Sequence, residues 1–180
     1  MRVVAGSARG RTLVAPEGSR TRPTSDRVRE SIFNALYSLD DVVDGARVLD
    51  LYAGSGAMGV EALSRGAVSA EFVERDRFAL DAIRRNVGAA GFDAVATVTR
   101  SEVLDWLGRA PGEYDLVLCD PPYDFAEWPE LLTALTRVAP HGVAVLESDR
   151  EIDPGEAWAV IRSRRYGGTV VSIIHRRPAA

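Results

Sequence analysis

Two short stretches of this sequence bring together residue types whose spacing suits chemistry. The first is Asp50-Leu51-Tyr52-Ala53-Gly54-Ser55-Gly56-Ala57-Met58-Gly59, with G-x-G-x-x-G spacing at Gly54, Gly56 and Gly59. Glycines so placed let a backbone turn tightly and approach a ligand closely. Glu74 lies twenty residues beyond Gly54, where a carboxylate can accept hydrogen bonds from both hydroxyls of a ribose. The second stretch is Asp120-Pro121-Pro122-Tyr123, directly after an apolar run. Two prolines fix φ, withhold N–H donors and leave carbonyls as acceptors.

Each stretch constrains what the chain binds. The glycine pattern alone predicts a nucleotide or nucleoside cofactor, and a nicotinamide dinucleotide fits it. Asp50 argues otherwise, because a carboxylate at that strand end repels a pyrophosphate and suits a cationic ligand. The methionine end of S-adenosylmethionine is such a ligand. In the second stretch, a carboxylate beside a rigid carbonyl forms a pair of acceptors for an –NH2 group. Holding both amine protons would aim the nitrogen lone pair at a methyl donor, while Tyr123 offers a face for stacking a base. The chemistry read from the residues is therefore methylation of a flat or amide nitrogen. An RNA base, a DNA adenine or cytosine, and a protein glutamine all satisfy it.

These residues need elements to position them. Val48–Tyr52 predicts a strand that feeds the glycine turn, with a helix over Ala57–Arg65. Further strands are expected at Ala70–Glu74, Val95–Thr99, Asp115–Cys119 and Val143–Leu146, with helices over Arg77–Ala90, Glu102–Leu107 and Glu127–Val138. Such alternation implies a mostly parallel sheet covered on both faces. The last two β-rich runs, Trp158–Ile161 and Thr169–Ile174, flank Gly167-Gly168, and so short a connection makes them antiparallel. Before the glycine turn, Val3–Ala5 and Thr12–Val14 suggest a hairpin with a basic tip. A helix carrying Val28, Ile32, Leu36 and Leu39 on one face follows, capped by Thr24, Ser25 or Asp26.

Composition narrows the setting. A chain of 180 residues, 46% hydrophobic and 27% charged, suits one globular domain. No apolar run approaches the ~20 residues of a membrane span, so the cytoplasm is the expected compartment. One cysteine, Cys119, precludes an internal disulfide, and His141 and His175 are too isolated to suggest a metal site. All 22 basic residues are arginine, and they are unevenly spread: residues 1–30 hold seven against three acids, and residues 156–180 hold five against one. A basic head and tail on an acidic body suggest either a polyanion-facing surface or solvated termini.

Taken together, the motifs resemble the RsmD family of bacterial 16S rRNA guanine-N2 methyltransferases. The resemblance is carried by Arg22–Asn34 (RPTSDRVRESIFN), Leu49–Arg65 (LDLYAGSGAMGVEALSR) and Asp120–Tyr123, with Gly6-x-x-Arg9-Gly10-Arg11, Glu147-Ser148 and Tyr166-Gly167 in support. It implies a Rossmann-like α/β class I methyltransferase fold, whose sheet has seven mostly parallel strands with the last antiparallel. An N-terminal hairpin and helix precede that sheet. It also implies S-adenosylmethionine as donor and the N2 of guanine 966 as acceptor, with 16S rRNA presented in the 30S subunit or its precursor. Asp50, Ala53, Gly54, Gly56 and Glu74 would line the cofactor, Glu102 would meet the adenine amino group, and Val103 would offer backbone. Asp120, Pro121 and Tyr123 would handle the target base.

The basic residues are then expected to divide by position. Residues 1–22 form a hairpin and loop whose Arg9, Arg11, Arg20 and Arg22 would face RNA phosphates, ahead of a methyltransferase domain over 23–180. Arg27 and Arg29, on the helix, suit phosphate binding or pairing with nearby acids equally. Trp106, Trp128 and Trp158 read as packing residues, and Cys119 as a buried strand residue. No metal is expected.

Overall fold

The structure, a computed structural model, describes residues 1–17, 25–39 and 42–178. Its centre is a seven-stranded sheet in the order β3-β2-β1-β4-β5-β7-β6. The strands are β1 (Arg47–Leu51), β2 (Ser69–Glu74), β3 (Ala96–Arg100), β4 (Leu116–Cys119), β5 (Val143–Ser148), β6 (Trp158–Tyr166) and β7 (Thr169–Arg176). The first five are parallel, and β7 runs antiparallel to both β5 and β6. The chain order reverses direction between β1 and β4, the place where open α/β sheets bind ligands beyond their carboxyl ends.

Alternation along the strands divides the core. On one face, Val48, Phe72, Leu118, Val145 and Ile173 pack against α1 (Asp26–Tyr37), α2 (Ala57–Ser64) and α3 (Arg77–Ala90). On the other, Leu49, Leu51, Val117, Cys119 and Leu146 pack against α4 (Val103–Gly108) and α5 (Trp128–Val138). The three tryptophans are buried in this second face, and Trp158 donates its indole N–H to the Leu132 carbonyl at 3.2 Å. Side chains fix the helix starts: Ser25 accepts from the Val28 N–H at 3.3 Å, and Asp76 from the Ala79 N–H at 2.9 Å. Ser25 is thus the cap of α1, and Thr24 lies outside the described residues.

The N-terminal segment is paired as a hairpin, although regular strand is limited to a single bridge between Arg2 and Thr12. Backbone bonds Val3 N–H to the Arg11 carbonyl (3.0 Å) and Gly10 N–H to the Val3 carbonyl (2.9 Å) hold its two sides. Val3, Ala8 and Leu13 enter the same core as α1 and α2. What fastens the hairpin is Glu61, a fully buried carboxylate on α2. It accepts the N–H groups of Val4 (2.8 Å) and Ala5 (3.0 Å) and pairs with Arg65 (2.8 Å) and Arg29 (3.4 Å). Arg29 is itself fully buried and also reaches the Arg2 carbonyl and Asp26. Of the two roles open to the helix arginines, Arg29 has the structural one; Arg27 is exposed.

Element boundaries differ from the expected ones chiefly at β6. The strand continues to Tyr166, five residues past Ile161, through Arg162-Ser163-Arg164-Arg165. It is an edge strand exposed along most of its length, so no apolar alternation marks it in sequence. A bulge between Val160 and Arg162 further breaks the period.

Candidate active site

The glycine loop is shaped by backbone conformations that few residues adopt. Gly54 and Gly56 have φ of 55° and 73°, and Tyr52 is the sole non-glycine residue with positive φ among the described residues, at 56°. That turn at Tyr52 breaks the alternation of β1. Its ring lies on the α4/α5 side, 5.6 Å edge-to-face from Phe125, which in turn meets Trp128 at 5.4 Å. The aromatic chain joins the glycine loop to the segment that follows Asp120–Tyr123. A left-handed tyrosine costs about 1 kcal/mol or more, and it persists because this packing fixes it.

Asp50 lies beneath the loop. It is buried, and its Oδ2 accepts the Gly59 N–H at 2.9 Å near the start of α2. Burial pushes its carboxyl well above the ordinary range; the Gly59 bond opposes that, and the nearby charges of Asp120 and Glu74 reinforce it. The charges of Asp120 and Glu74, at the ends of β4 and β2, thus bear on Asp50 in β1. Negative charge so placed suits a cationic ligand. Gly59 permits this arrangement, because a Cβ there would stand 2.3 Å from the Phe72 ring and 3.0 Å from Asp50 Oδ2. Gly59→Ala is expected to destabilise the fold by about 1–3 kcal/mol, read as a lower midpoint in urea unfolding.

Glu74 is already engaged. Its Oε2 accepts the Gly54 N–H at 3.0 Å, and its Oε1 accepts those of Arg75 (2.7 Å) and Asp76 (2.9 Å). A carboxylate offers about four acceptor sites, so in this arrangement one remains, on Oε2. It can take one ribose hydroxyl while the Gly54 bond lasts, rather than both. Ala53 anchors the loop by donating its N–H to the Val73 carbonyl at 3.3 Å and accepting from Gly56 at 2.7 Å. A Cβ on Gly54 would meet only the Tyr52 carbonyl, at 3.9 Å, so the loop presents an open face there. Glu102 stands at the N-cap of α4 and pairs with Arg75 at 3.3 Å, both largely exposed at the rim; Val103 begins the helix, side chain buried.

Asp120 and Tyr123 follow β4 on the opposite wall. Pro121 is buried, while Asp120 is half-buried and Tyr123 is 51% exposed, so its ring is accessible. The Tyr123 hydroxyl bonds Thr169 Oγ1 at 2.7 Å, linking the loop to the β6–β7 turn. Arg150 reaches the carbonyls of Tyr123 (3.4 Å) and Phe125 (3.1 Å), and Phe125 donates its N–H to the Pro122 carbonyl at 2.9 Å. These bonds hold the Pro122 and Tyr123 carbonyls toward the segment that follows the motif.

A family profile described as "Conserved hypothetical protein 95" matches residues 1–175. Over 176 residues the chain is 30% identical to the "Ribosomal RNA small subunit methyltransferase D" of Haemophilus influenzae, covering 93% of this chain and 89% of that protein. The chain belongs to the RsmD family. The Escherichia coli (strain K12) protein of the same name is 39% identical over 123 residues, spanning 68% of this chain and 60% of the relative. The solved structure of E. coli yhhF superposes with a TM-score of 0.87 at 31% identity, covering 99% of both chains.

Within this RsmD chain, the residues singled out by sequence fall into two groups. Asp50, Ala53, Gly54, Gly56, Glu74, Glu102 and Val103 lie at the carboxyl ends of β1 to β3, and Asp120, Pro121 and Tyr123 lie at the end of the adjoining β4. Arg9 and Arg11 are exposed on the hairpin tip, which meets the last residue of α2, Ser64, through the Ser7 and Ala8 N–H groups. α2 is eight residues long, so the tip lies roughly 12 Å along it from the glycine loop. Arg20 and Arg22 lie outside the described residues. Arg150, Phe125 and Thr169 have no motif in sequence to mark them; Tyr166-Gly167, just before Thr169, was the nearest signal. Among the described residues, no helix is long and apolar enough to cross a membrane, and no cluster of acids, histidine and cysteine is placed to hold a metal.

Proposed function

We propose that this chain transfers a methyl group from S-adenosylmethionine to the exocyclic N2 of guanine 966 in 16S rRNA, within an assembled or partly assembled small subunit. The observation that carries this reading is the electrostatic proximity of Asp50 and Asp120 at neighbouring strand ends, with the glycine loop and the Asp-Pro-Pro-Tyr segment tied by Tyr52 and Phe125. The names of the Haemophilus influenzae and Escherichia coli relatives support rRNA as the substrate.

The residues fit the cofactor. Gly54 leaves an open face for close approach, Glu74 keeps one acceptor for ribose, and buried Asp50 suits the amino group. When bound, S-adenosylmethionine supplies an electrophilic methyl group on a sulfonium. The chain's part is to hold the acceptor: Asp120 and the Pro121 carbonyl accept the two protons of the guanine amino group, and Tyr123 stacks the extruded base. The amine needs no prior deprotonation, since it becomes acidic once methylated. Catalysis then rests on alignment and on negative charge facing a developing cation.

Mapping the modified nucleotide in rRNA from a deletion strain, before and after complementation, tests the assignment. Restoration of N2-methylguanine at position 966 is expected. Incorporation into DNA or a glutamine side chain, with none in rRNA, would overturn it. Higher activity on 30S particles than on naked rRNA is also expected for a guanine presented within the small subunit, and equal activity on both would count against that presentation.

A pH dependence follows from Asp50. Its carboxyl is raised in the free protein, and a cationic amino group favours the ionised form. Binding of S-adenosylhomocysteine should therefore release a proton and weaken by up to about tenfold per pH unit below that raised value. Calorimetry across the acidic range checks this, with Asp50→Asn expected to flatten the slope.

A further inference from the structure

The outer face of α1 and the edge strand β6 enclose a groove of about 340 Å³, separate from the glycine loop and the Asp-Pro-Pro-Tyr segment. Arg27 and Arg162 line it, with Ser31, Asn34, Ser38 and a single acid, Glu30. Arg162, Arg164 and Arg165 are all exposed on β6. No ion pair joins these three or Arg27 to an acid among the described residues. Register puts Arg162 and Arg164 opposite Ile173 and Val171, hence on the α1 side, and Arg164 lies over the Tyr166 ring at 5.2 Å. Arg165 faces the other way, donating to the Asp149 carbonyl at 3.3 Å.

Two hydrogen bonds link the groove to the site already described. Tyr166 bonds Ser31 in the groove at 2.5 Å, and Thr169, across the Gly167-Gly168 turn, bonds Tyr123. The four residue steps from Tyr166 to Arg162 span roughly 13 Å. A strand whose base rests on Tyr123 would therefore pass the β6 arginines within a few nucleotides.

We propose that the α1–β6 groove is a phosphate-binding track for the RNA strand flanking the target nucleotide, with Arg27, Arg162 and Arg164 as its contacts. This rests on the reading of the chain as an RNA methyltransferase. Charge complementarity favours this occupant: unpaired guanidiniums on a polar, open groove suit phosphodiesters and offer little to an apolar ligand. It also gives the basic C-terminal region a task of its own beside the one expected of Arg9 and Arg11 on the hairpin tip.

The test is salt-titrated equilibrium binding of the full chain to 16S rRNA and to 30S particles from a deletion strain, alongside methyl transfer. The R27Q/R162Q/R164Q variant is compared with wild type and with R84Q on α3, a control outside the groove. The triple variant is expected to bind rRNA at least tenfold more weakly, with a log–log salt slope shallower by about 0.7 per lost contact. Its kcat and its affinity for S-adenosylhomocysteine should not change. Unaltered affinity and slope in an active triple variant would overturn the track and leave the methyltransferase reading intact. The charges would then serve only to keep an edge strand from pairing with other chains. Weakened binding to particles but not to naked rRNA would overturn it in favour of a ribosomal protein contact. Arginine-dependent rRNA binding by a wild type that methylates no RNA would uphold the track and refute the proposed reaction.

Discussion

Asp120→Ala should lower kcat for methyl transfer to small-subunit rRNA by about 10²–10³-fold while S-adenosylhomocysteine still binds. The size is that of removing one preorganised acceptor from a developing charge. Asp120 is half-buried at the end of β4, beside Pro121, whose carbonyl is the second acceptor in the proposed reaction. With the carboxylate gone, the amino group loses one of two groups that orient it, and the cation formed on methylation loses its compensating charge. Asp120→Asn keeps an acceptor oxygen but not the charge, so an intermediate loss is expected. Asp50 supplies an independent readout. The Asp120 charge helps raise the Asp50 carboxyl, so either variant should move the pH dependence of ligand binding toward lower pH. Single-turnover transfer from labelled donor, paired with calorimetry, measures both. An Asp120→Ala protein with undiminished kcat would remove Asp120 from the reaction.

The second large effect is on stability. Glu61→Ala is expected to destabilise the chain by about 3–5 kcal/mol, because it strands the buried Arg29 guanidinium and releases two backbone N–H groups of the hairpin. For a chain of this size that is a fall in Tm of roughly 10 °C. Differential scanning calorimetry of wild type and variant gives the value directly, and a shift below about 2 °C would contradict the role assigned to this carboxylate. The double variant Glu61→Met, Arg29→Met should recover part of the loss, since it removes both buried charges together. Recovery should be incomplete, because Val4 and Ala5 still lose their acceptor. Arg9 and Arg11 remain on the hairpin surface in such variants, so selective loss of RNA binding would show that the hairpin must be docked to act.

These two residues differ in how visible they are in sequence. Asp120 is announced by its neighbours, because a Pro-Pro pair after an all-apolar run is a strong stop signal for a buried strand. The glycine loop is equally plain, and α3 runs over the expected Arg77–Ala90 with Asp76 and Gly91 at its ends. Glu61 stands inside a short helix of small and apolar residues and looks like any solvated glutamate. Its partners lie 32 and 57 residues away at Arg29 and Val4, and no local pattern connects them. β6 outruns its apolar segment for a related reason. Arginine carries no β signal, and strand structure at an edge comes from pairing with β7, a non-local interaction.

The order of elements, the residues at each strand end and the family could be read from the chain alone, because they depend on local propensity and short motifs. Folding decided which of those ends are neighbours. The sheet order sets β1 beside β4, so two motifs seventy residues apart in sequence lie at neighbouring strand ends. It also sorted the arginines, burying Arg29 against Glu61, leaving Arg9 and Arg11 at the far end of α2, and lining a groove with Arg27 and Arg162. The physical reason is that a charge acts according to its burial and its spatial neighbours, and both are settled only when strands distant in sequence pair.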